Sequence, residues 1–243
     1  MFAPLDPSLV LFEDHHLLVV NKPAPLLTQA PPMVPCLEAM AKSYLKDKYA
    51  KPGGVYLAVP HRLDRPVSGV VCFVRNTKAA QRVHRQFEDR TVAKTYWAIA
   101  EGEFTGEGEW VDWIRKLDDE ARVEKGIEGE PGAKRAQLHY RVLQALPHQR
   151  TLVELSPLTG RMHQLRVQLA WRGHPVLGDE LYGSTVPFGP EGERPRDKVI
   201  ALHARKLLVN HPFSLERLTF VAPAPQYWAE VIDTIASEIV DAL

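Results

Sequence analysis

The sequence predicts an α+β fold built on a mixed, mostly antiparallel central sheet flanked by helices and loops. Three observations lead to it. Segments with strand character outnumber those with helical periodicity. The strand segments arrive mostly as adjacent pairs, the order of hairpins rather than of alternating βαβ units. No charged or proline-rich linker separates two apolar stretches, so residues 1–243 read as a single domain. Its core runs from about 9 to 223, and a terminal helix covers 226–242.

Along the chain, SLVLFEDHHLLVVNKP (8–23) reads as two short strands around a Glu13-Asp14 turn. Residues 23–35 are proline-rich and form an irregular loop. Leu37, Met40, Ala41, Tyr44 and Leu45 keep helical spacing, which predicts a helix over 36–49. VYLAV (55–59) reads as a strand, and SGVVCFVR (68–75) as a buried one. Asn76 and Thr77 suit the cap of a basic helix over about 78–90. Strands follow at 93–102 and 108–116. Residues 117–132, charged and glycine-containing, read as an exposed loop. Two more strands, 136–146 and 150–157, precede a helix over 161–172 with Leu165 and Leu169 on one face. Residues 183–197 read as a mobile loop, and 203–212 with 216–223 as a final strand pair. Trp228, Ile232, Ile235 and Ile239 give the last helix its apolar stripe.

Hydrophobic residues make up 45% of the chain and charged residues 25%, which excludes disorder of the whole chain. The two cysteines, Cys36 and Cys72, lie in apolar stretches without a CxxC pair. That argues against a disulfide framework and for a reducing, cytoplasmic compartment. The N-terminus lacks the basic and apolar regions of a signal peptide, and no apolar run approaches the roughly 20 residues that span a bilayer. The net charge is zero, yet residues 61–94 hold eight basic and three acidic side chains. Residues 161–172 add three arginines and no acid. A neutral total therefore leaves room for a basic face.

Three constellations carry candidate chemistry. In HRLDRPVSG (61–69), Asp64 stands between Arg62 and Arg65. In an extended segment Arg62 and Asp64 share one side while Leu63 anchors the other. A neighbouring guanidinium favours the ionised carboxylate. Such a group is either an ordinary ion pair or a nucleophile. In TGRMHQLRVQL (159–169), Gly160 permits a sharp entry to a helix whose first N–H groups and positive end face forward. There Arg161 pairs with Gln164 on one face and His163 with Arg166 on another, either as a solvated polar face or to orient a carboxylate or phosphate. In AKTYW (93–97), Tyr96 is either a core tyrosine or a platform for a base. HExxH, GxxxxGK[ST], GxGxxG and GxSxG are absent, so no metal, nucleotide cradle or serine-hydrolase motif is predicted. A glycosidase using Asp64 as nucleophile would need a second carboxylate about 5–10 Å away, and 159–172 offers none.

In this order, VVNKP (19–23), HRLDRPVSG, AKTYWAIAEG (93–102), LSPLTGRMHQLRVQLA (155–170) and GHPVLGDELYG (173–183) resemble the RluA-type pseudouridine synthases from about Leu9 to about Pro223. The resemblance implies an isomerase that turns uridines of structured ribosomal or transfer RNA into pseudouridine after base flipping, with its active site in a basic cleft. It implies Asp64 as the essential aspartate and Arg62 as the residue filling the space of the flipped nucleotide. Tyr96 would pack on uracil and assist proton removal at C5. Arg166 would pair with the catalytic carboxylate, and Leu165 would line the pocket. His61, Leu63, Arg65, Arg161, His163 and Gln164 complete the expected RNA-binding set. The reaction needs no metal, redox cofactor or nucleotide, and a monomer acting on RNA without membrane attachment is expected. A non-catalytic RNA-binding or folding factor is the alternative. Three positions depart from the usual pattern: Val67 stands for a threonine, Gln168 for a histidine, and APLLTQAPP follows Pro23 in place of a glycine-containing loop. No S4-type RNA-binding module is expected before Leu9.

Overall fold

The computed structural model describes residues 3–118, 120–229 and 231. In chain order the elements are β1 (Val10–Glu13), β2 (Leu17–Lys22), α1 (Leu37–Lys48), β3 (Ser68–Val74), α2 (Thr77–Glu88), β4 (Ala93–Glu101) and β5 (Glu107–Lys116). They continue with β6 (Val123–Gly126), β7 (Ala133–Leu146), β8 (Arg150–Pro157), α3 (Gln164–Ala170), β9 (Leu202–Asn210) and β10 (Arg217–Val221). Strands dominate and their pairing is mixed but mostly antiparallel, as the sequence predicts. The chain divides into two compact units. The first comprises Met1–Tyr96, Ser156–Leu158 and His203–Pro223, and the second Trp97–Leu155, Thr159–Leu202 and Ala224–Leu243.

The first unit has strand order β1-β2-β3-β9, with β10 on β9. Leu17, Leu18, Val19 and Val20 are all fully buried, as is the whole of β3. Such unbroken apolar runs belong to strands covered on both faces. β2 and β3 pair antiparallel from Leu17↔Val74 to Lys22↔Gly69. β3 then meets β9 in parallel at Ser68↔His203 and Gly69↔Ala204. The approach at Gly69 is close: φ is +120°, and a Cβ there would lie 2.4 Å from the Ala204 carbonyl oxygen. Glycine at the end of HRLDRPVSG is thus a backbone requirement. Asn76 caps α2 by accepting from the Ala79 N–H at 2.9 Å, as its sequence position predicts.

The second unit has strand order β4-β8-β7-β5-β6. β5 pairs antiparallel with β7 from Glu107↔Arg141 to Arg115↔Ala133. Residues 117–132 are not wholly loop: β6 pairs with β5 from Trp113↔Gly126 to Lys116↔Val123. Its Val123 is buried with Ile114, Ala136 and Val167. A four-residue strand, VEKG, is too short for its alternation to stand out among charges. VYLAV contributes only a bridge from Ala58 to Val74 rather than a strand. The loop over 183–197 starts firmly tied: the Glu101 carboxylate accepts from the Ser184 hydroxyl and from the N–H groups of Thr185 (3.0 Å) and Val186 (3.3 Å). At the C-terminus a 3-10 turn covers Gln226–Trp228, and the rest of the expected helix lies outside the described residues, Ala229 and Val231 excepted.

Gly69→Ala should destabilise the protein by about 1–3 kcal/mol, because it adds left-handed strain where the backbone cannot retreat. Urea unfolding of the variant against wild type checks this; a loss near zero would mean that the two strands can part without cost.

Candidate active site

Asp64 sits in the loop that leads into β3, half-buried, with Leu63 buried and Arg62 exposed. The predicted alternation therefore holds although the segment is not a strand. Several bonds fix this loop. The Thr28 hydroxyl donates to the Leu63 carbonyl (2.9 Å) and accepts from the Leu63 N–H (3.0 Å). The Val67 N–H closes a turn on the Asp64 carbonyl at 3.1 Å. Arg65 accepts through its carbonyl from the Leu26 N–H at 3.0 Å. The irregular loop 23–35 thus serves as the bed of the aspartate loop.

Lys22, which carries no role in the sequence reading, is fully buried beside this loop. Its ammonium donates to the carbonyls of Pro23 (3.2 Å), Leu26 (2.6 Å) and Arg65 (3.3 Å). A lysine that closes a strand opened by the apolar run Leu17–Val20 is the signal that could have found it.

His61 turns inward: its Nε2 accepts from the Cys72 N–H at 2.9 Å, and its ring stacks on Phe87 with centroids 4.9 Å apart. Burial, helped by the charge of Lys94, lowers it to about 3, so the ring is neutral at physiological pH. Tyr96 lies in the same unit as Asp64. Burial, and then the negative charge of Asp64, push its phenol far above the ordinary value. It is a protonated phenol within the field of the carboxylate.

In the second unit the TGRMHQLR stretch differs from expectation. The helix begins at Gln164, and His163 precedes it with left-handed φ of 52°. Arg161 and His163 therefore stand ahead of the helix and do not share its faces. The reason is Gln164: its side-chain oxygen accepts from the Thr159 hydroxyl (2.7 Å) and the Arg161 N–H (3.1 Å), while its amide donates to the Gln137 carbonyl (3.1 Å). This buried amide folds 159–164 into a turn. Arg161 donates through Nε to the Arg135 carbonyl at 3.0 Å, and His163 Nδ1 lies 2.7 Å from the Tyr182 hydroxyl.

Arg166 is buried and makes a two-pronged bond to Asp179, Nε to Oδ2 at 2.6 Å and Nη2 to Oδ1 at 2.7 Å. Its guanidinium also lies 5.0 Å from the centre of the Tyr182 ring. Planar forks of this kind fix orientation as well as charge. Asp179 and Tyr182 both come from GHPVLGDELYG, whose individual side chains the sequence reading leaves without a role. Leu165, beside Arg166, is buried.

The departures from the family pattern fall in packing positions. Val67 is buried, which suits an apolar side chain. Gln168 donates to Asp112 Oδ2 at 2.8 Å, which also accepts from Arg172 at 2.9 Å. Among the described residues no group of three or more His, Cys, Asp and Glu side chains could hold a metal ion, and no helix is long and apolar enough to cross a membrane.

The first unit thus holds an ordered carboxylate loop and a phenol under its charge, and the second holds a fork-oriented arginine. Comparison with known proteins identifies the family. Residues 16–171 match the family model described as RNA pseudouridylate synthase. The dual-specificity RNA pseudouridine synthase RluA of Haemophilus influenzae is 36% identical over 224 residues, covering 90% of this chain and 94% of that protein. The tRNA pseudouridine synthase C of Pasteurella multocida is 30% identical, covering 92% and 94%. The structure of human RNA pseudouridylate synthase domain containing 4 superposes with a TM-score of 0.71 at 27% identity, covering 90% of each chain. The chain belongs to the RNA pseudouridine synthase family, and its RluA-type members are its relatives; it is an isomerase of uridine in RNA.

Asp179→Ala should cost about 3–5 kcal/mol in urea unfolding, because it breaks a buried two-pronged ion pair; a loss below about 1 kcal/mol would mean that the pair adds little to stability. His61 gives a pH dependence. Its folded value lies below the unfolded one, so the unfolded chain gains a proton first as pH falls through 6.5. Stability should drop by up to about 2 kcal/mol between pH 7 and 5 from this group. The His61→Gln variant, which keeps an acceptor for Cys72, should show a correspondingly flatter profile; equal slopes would contradict the assignment.

Proposed function

We propose that this chain isomerises specific uridines in structured RNA, transfer or ribosomal, with Asp64 as the catalytic carboxylate. The observation that carries the reading is that Asp64 and Tyr96 belong to one unit, where burial and then the charge of the carboxylate keep the phenol protonated. The relatives' names, one a tRNA enzyme and one a dual-specificity enzyme, support the substrate class.

The chemistry breaks the N1–C1′ bond of uridine, forms a C5–C1′ bond, and exchanges the C5 proton for one on N1. Nothing is oxidised or lost. The target base must leave its stack, because its reacting atoms are shielded within a helix. Arg62, which is exposed, is the residue we assign to fill the gap left by that base. Asp64 then has three routes open: addition to uracil C6, attack on ribose C1′, or abstraction of a ribose proton. A phenol that stays protonated serves as a packing surface and hydrogen-bond partner in the C5 proton transfer, not as an ionised base. Arg166 is assigned to the carboxylate by the second motif, and its fork on Asp179 fixes the direction of the guanidinium. RNA affinity comes mainly from phosphate contacts and falls with added salt. Two free, buried cysteines suit a reducing cytoplasm.

With transfer and ribosomal RNA tritiated at uridine C5, wild type should release tritium and Asp64→Asn should release none above background. The variant should bind the same RNA with affinity within about threefold of wild type. Turnover by the variant would sink the assignment of Asp64. Binding by both proteins with release by neither, in cell-derived RNA as well, would make the chain an RNA-binding factor.

A further inference from the structure

The loop after Pro23, APLLTQAPP, is one of the places where the chain departs from its family's usual pattern. It lies along the segment that carries Asp64. The Leu26 N–H donates to the Arg65 carbonyl at 3.0 Å, and the Thr28 hydroxyl bonds both backbone groups of Leu63. Residue 26 thus faces 65 and residue 28 faces 63, which is the register of an antiparallel pair with Leu27 opposite Asp64. In such a pair every second residue exchanges backbone bonds with its partner. Neither segment belongs to a strand, and at Leu63 a side chain stands where a backbone rung would be.

A hydroxyl can do this with one atom, because it is a donor and an acceptor at once. The Thr28 hydroxyl donates to the Leu63 carbonyl at 2.9 Å and accepts from the Leu63 N–H at 3.0 Å. Both residues are buried, so these backbone groups depend on a protein partner. The threonine is itself held from the other side. Its carbonyl accepts from the Glu38 N–H at 3.0 Å, and the Leu27 carbonyl accepts from the Leu37 N–H at 2.8 Å. These N–H groups open α1, whose N-cap, Cys36, makes no side-chain cap bond. A line of bonds therefore runs from α1 through Thr28 to Leu63, the residue before Asp64.

We propose that Thr28 is a positioning residue for the reaction: its hydroxyl acts as a rung between residues 26–28 and 63–65 and fixes the direction in which the Asp64 side chain leaves the backbone. This deepens the reading of Asp64 as the catalytic carboxylate and rests on it. The hydroxyl bonds the backbone of Leu63, so it acts through Asp64. Rotation about the backbone bonds of residue 63 swings the next side chain as a whole, and catalysis falls steeply when a group is misplaced by about an ångström. A valine would fill the same volume but leave the N–H and the carbonyl of Leu63 unsatisfied in a buried place, and the segment would turn to repair them. A serine would keep the rung.

Steady-state turnover of C5-tritiated RNA by the whole protein tests this, at a temperature where each variant is folded. Thr28→Val should lower kcat about 10- to 100-fold while KM for RNA stays within about twofold of wild type. Thr28→Ser should keep kcat within about threefold. Asn76→Ala removes the cap of α2 and loses stability, yet should leave kcat unchanged. A fall in Asn76→Ala as large as in Thr28→Val would trace both to weakened folding and overturn the assignment. So would a folded Thr28→Val enzyme with wild-type kcat, or a Thr28→Ser enzyme as slow as Thr28→Val, which would make volume rather than the hydroxyl decisive. If Thr28→Val fails to fold, Thr28→Cys decides, because a thiol fills the place of the serine hydroxyl but bonds weakly. Its kcat should lie at least about fivefold below that of Thr28→Ser, and equality overturns the assignment. Turnover by Asp64→Asn would instead overturn the catalytic role of Asp64 itself, whereas an inactive Asp64→Asn beside a fully active Thr28→Val defeats the role of Thr28 alone.

Discussion

The geometry of the first unit depends on one constraint, the close three-strand junction at Lys22, Gly69 and Ala204. Here β2 ends, β3 begins, and β9 approaches in parallel so tightly that only a hydrogen fits on the Gly69 α-carbon. The loop bearing Asp64 enters this junction directly. Its far end cannot move without separating strands whose side chains are wholly buried. Its near end is held by Thr28, which bonds both backbone groups of Leu63. Ser68, next to Gly69, adds a third tie through its bond of 2.9 Å to Nδ1 of buried His203. The other ring nitrogen of His203 faces the Ala222 carbonyl, which can only accept, so Nε2 carries the proton and Nδ1 receives the serine hydroxyl. A carboxylate on a loop becomes as well placed as one on a strand.

The two units solve the problem of buried cations differently. Arg166 has a dedicated carboxylate, Asp179, in a two-pronged arrangement that satisfies charge and direction together. The loop carrying Asp179 is itself held: the Ser184 N–H donates to the Asp179 carbonyl at 3.1 Å, and the Ser184 hydroxyl accepts from the Gly178 N–H at 3.0 Å while donating to Glu101. An arginine so held cannot rotate to follow a partner; a partner must come to it. Lys22 donates to three carbonyls, those of Pro23, Leu26 and Arg65.

Much of this was legible in the sequence because the decisive features are local. Adjacent apolar runs give β2, β3, β9 and β10, and Asn76 announces α2. In the stretch around Asp64 the burial of Leu63 between less buried neighbours follows the alternation expected of an extended segment. What escaped detection depends on distant partners. β6 is four residues long and becomes a strand only because β5 offers it an edge. The helix after Gly160 starts late because Gln164 finds Thr159 and the Gln137 carbonyl, the latter 27 residues away in sequence. VYLAV has the composition of a strand but bonds to one residue of β3 only. Lys22 and Asp179, two buried charged residues without an assigned role, lie beside polar neighbours, Asn21 and Glu180, that nothing in the local pattern sets apart from them.

That concealment has a physical logic. Residues that touch an RNA must be exposed and polar, so they look like ordinary surface, and a basic run such as α2 does not separate contact from solvation. Some of its charge is in fact committed to the fold: Arg82 donates to the Pro212 carbonyl at 2.8 Å and lies 4.4 Å from the centre of the Phe213 ring. Residues that tune a catalytic group from behind are buried, where polar atoms are rare and costly. A lone lysine or aspartate in an apolar stretch is therefore the more informative signal of the two, because burial forces it to have a partner. In this chain that partner is the backbone of the Asp64 loop for Lys22 and the guanidinium of Arg166 for Asp179.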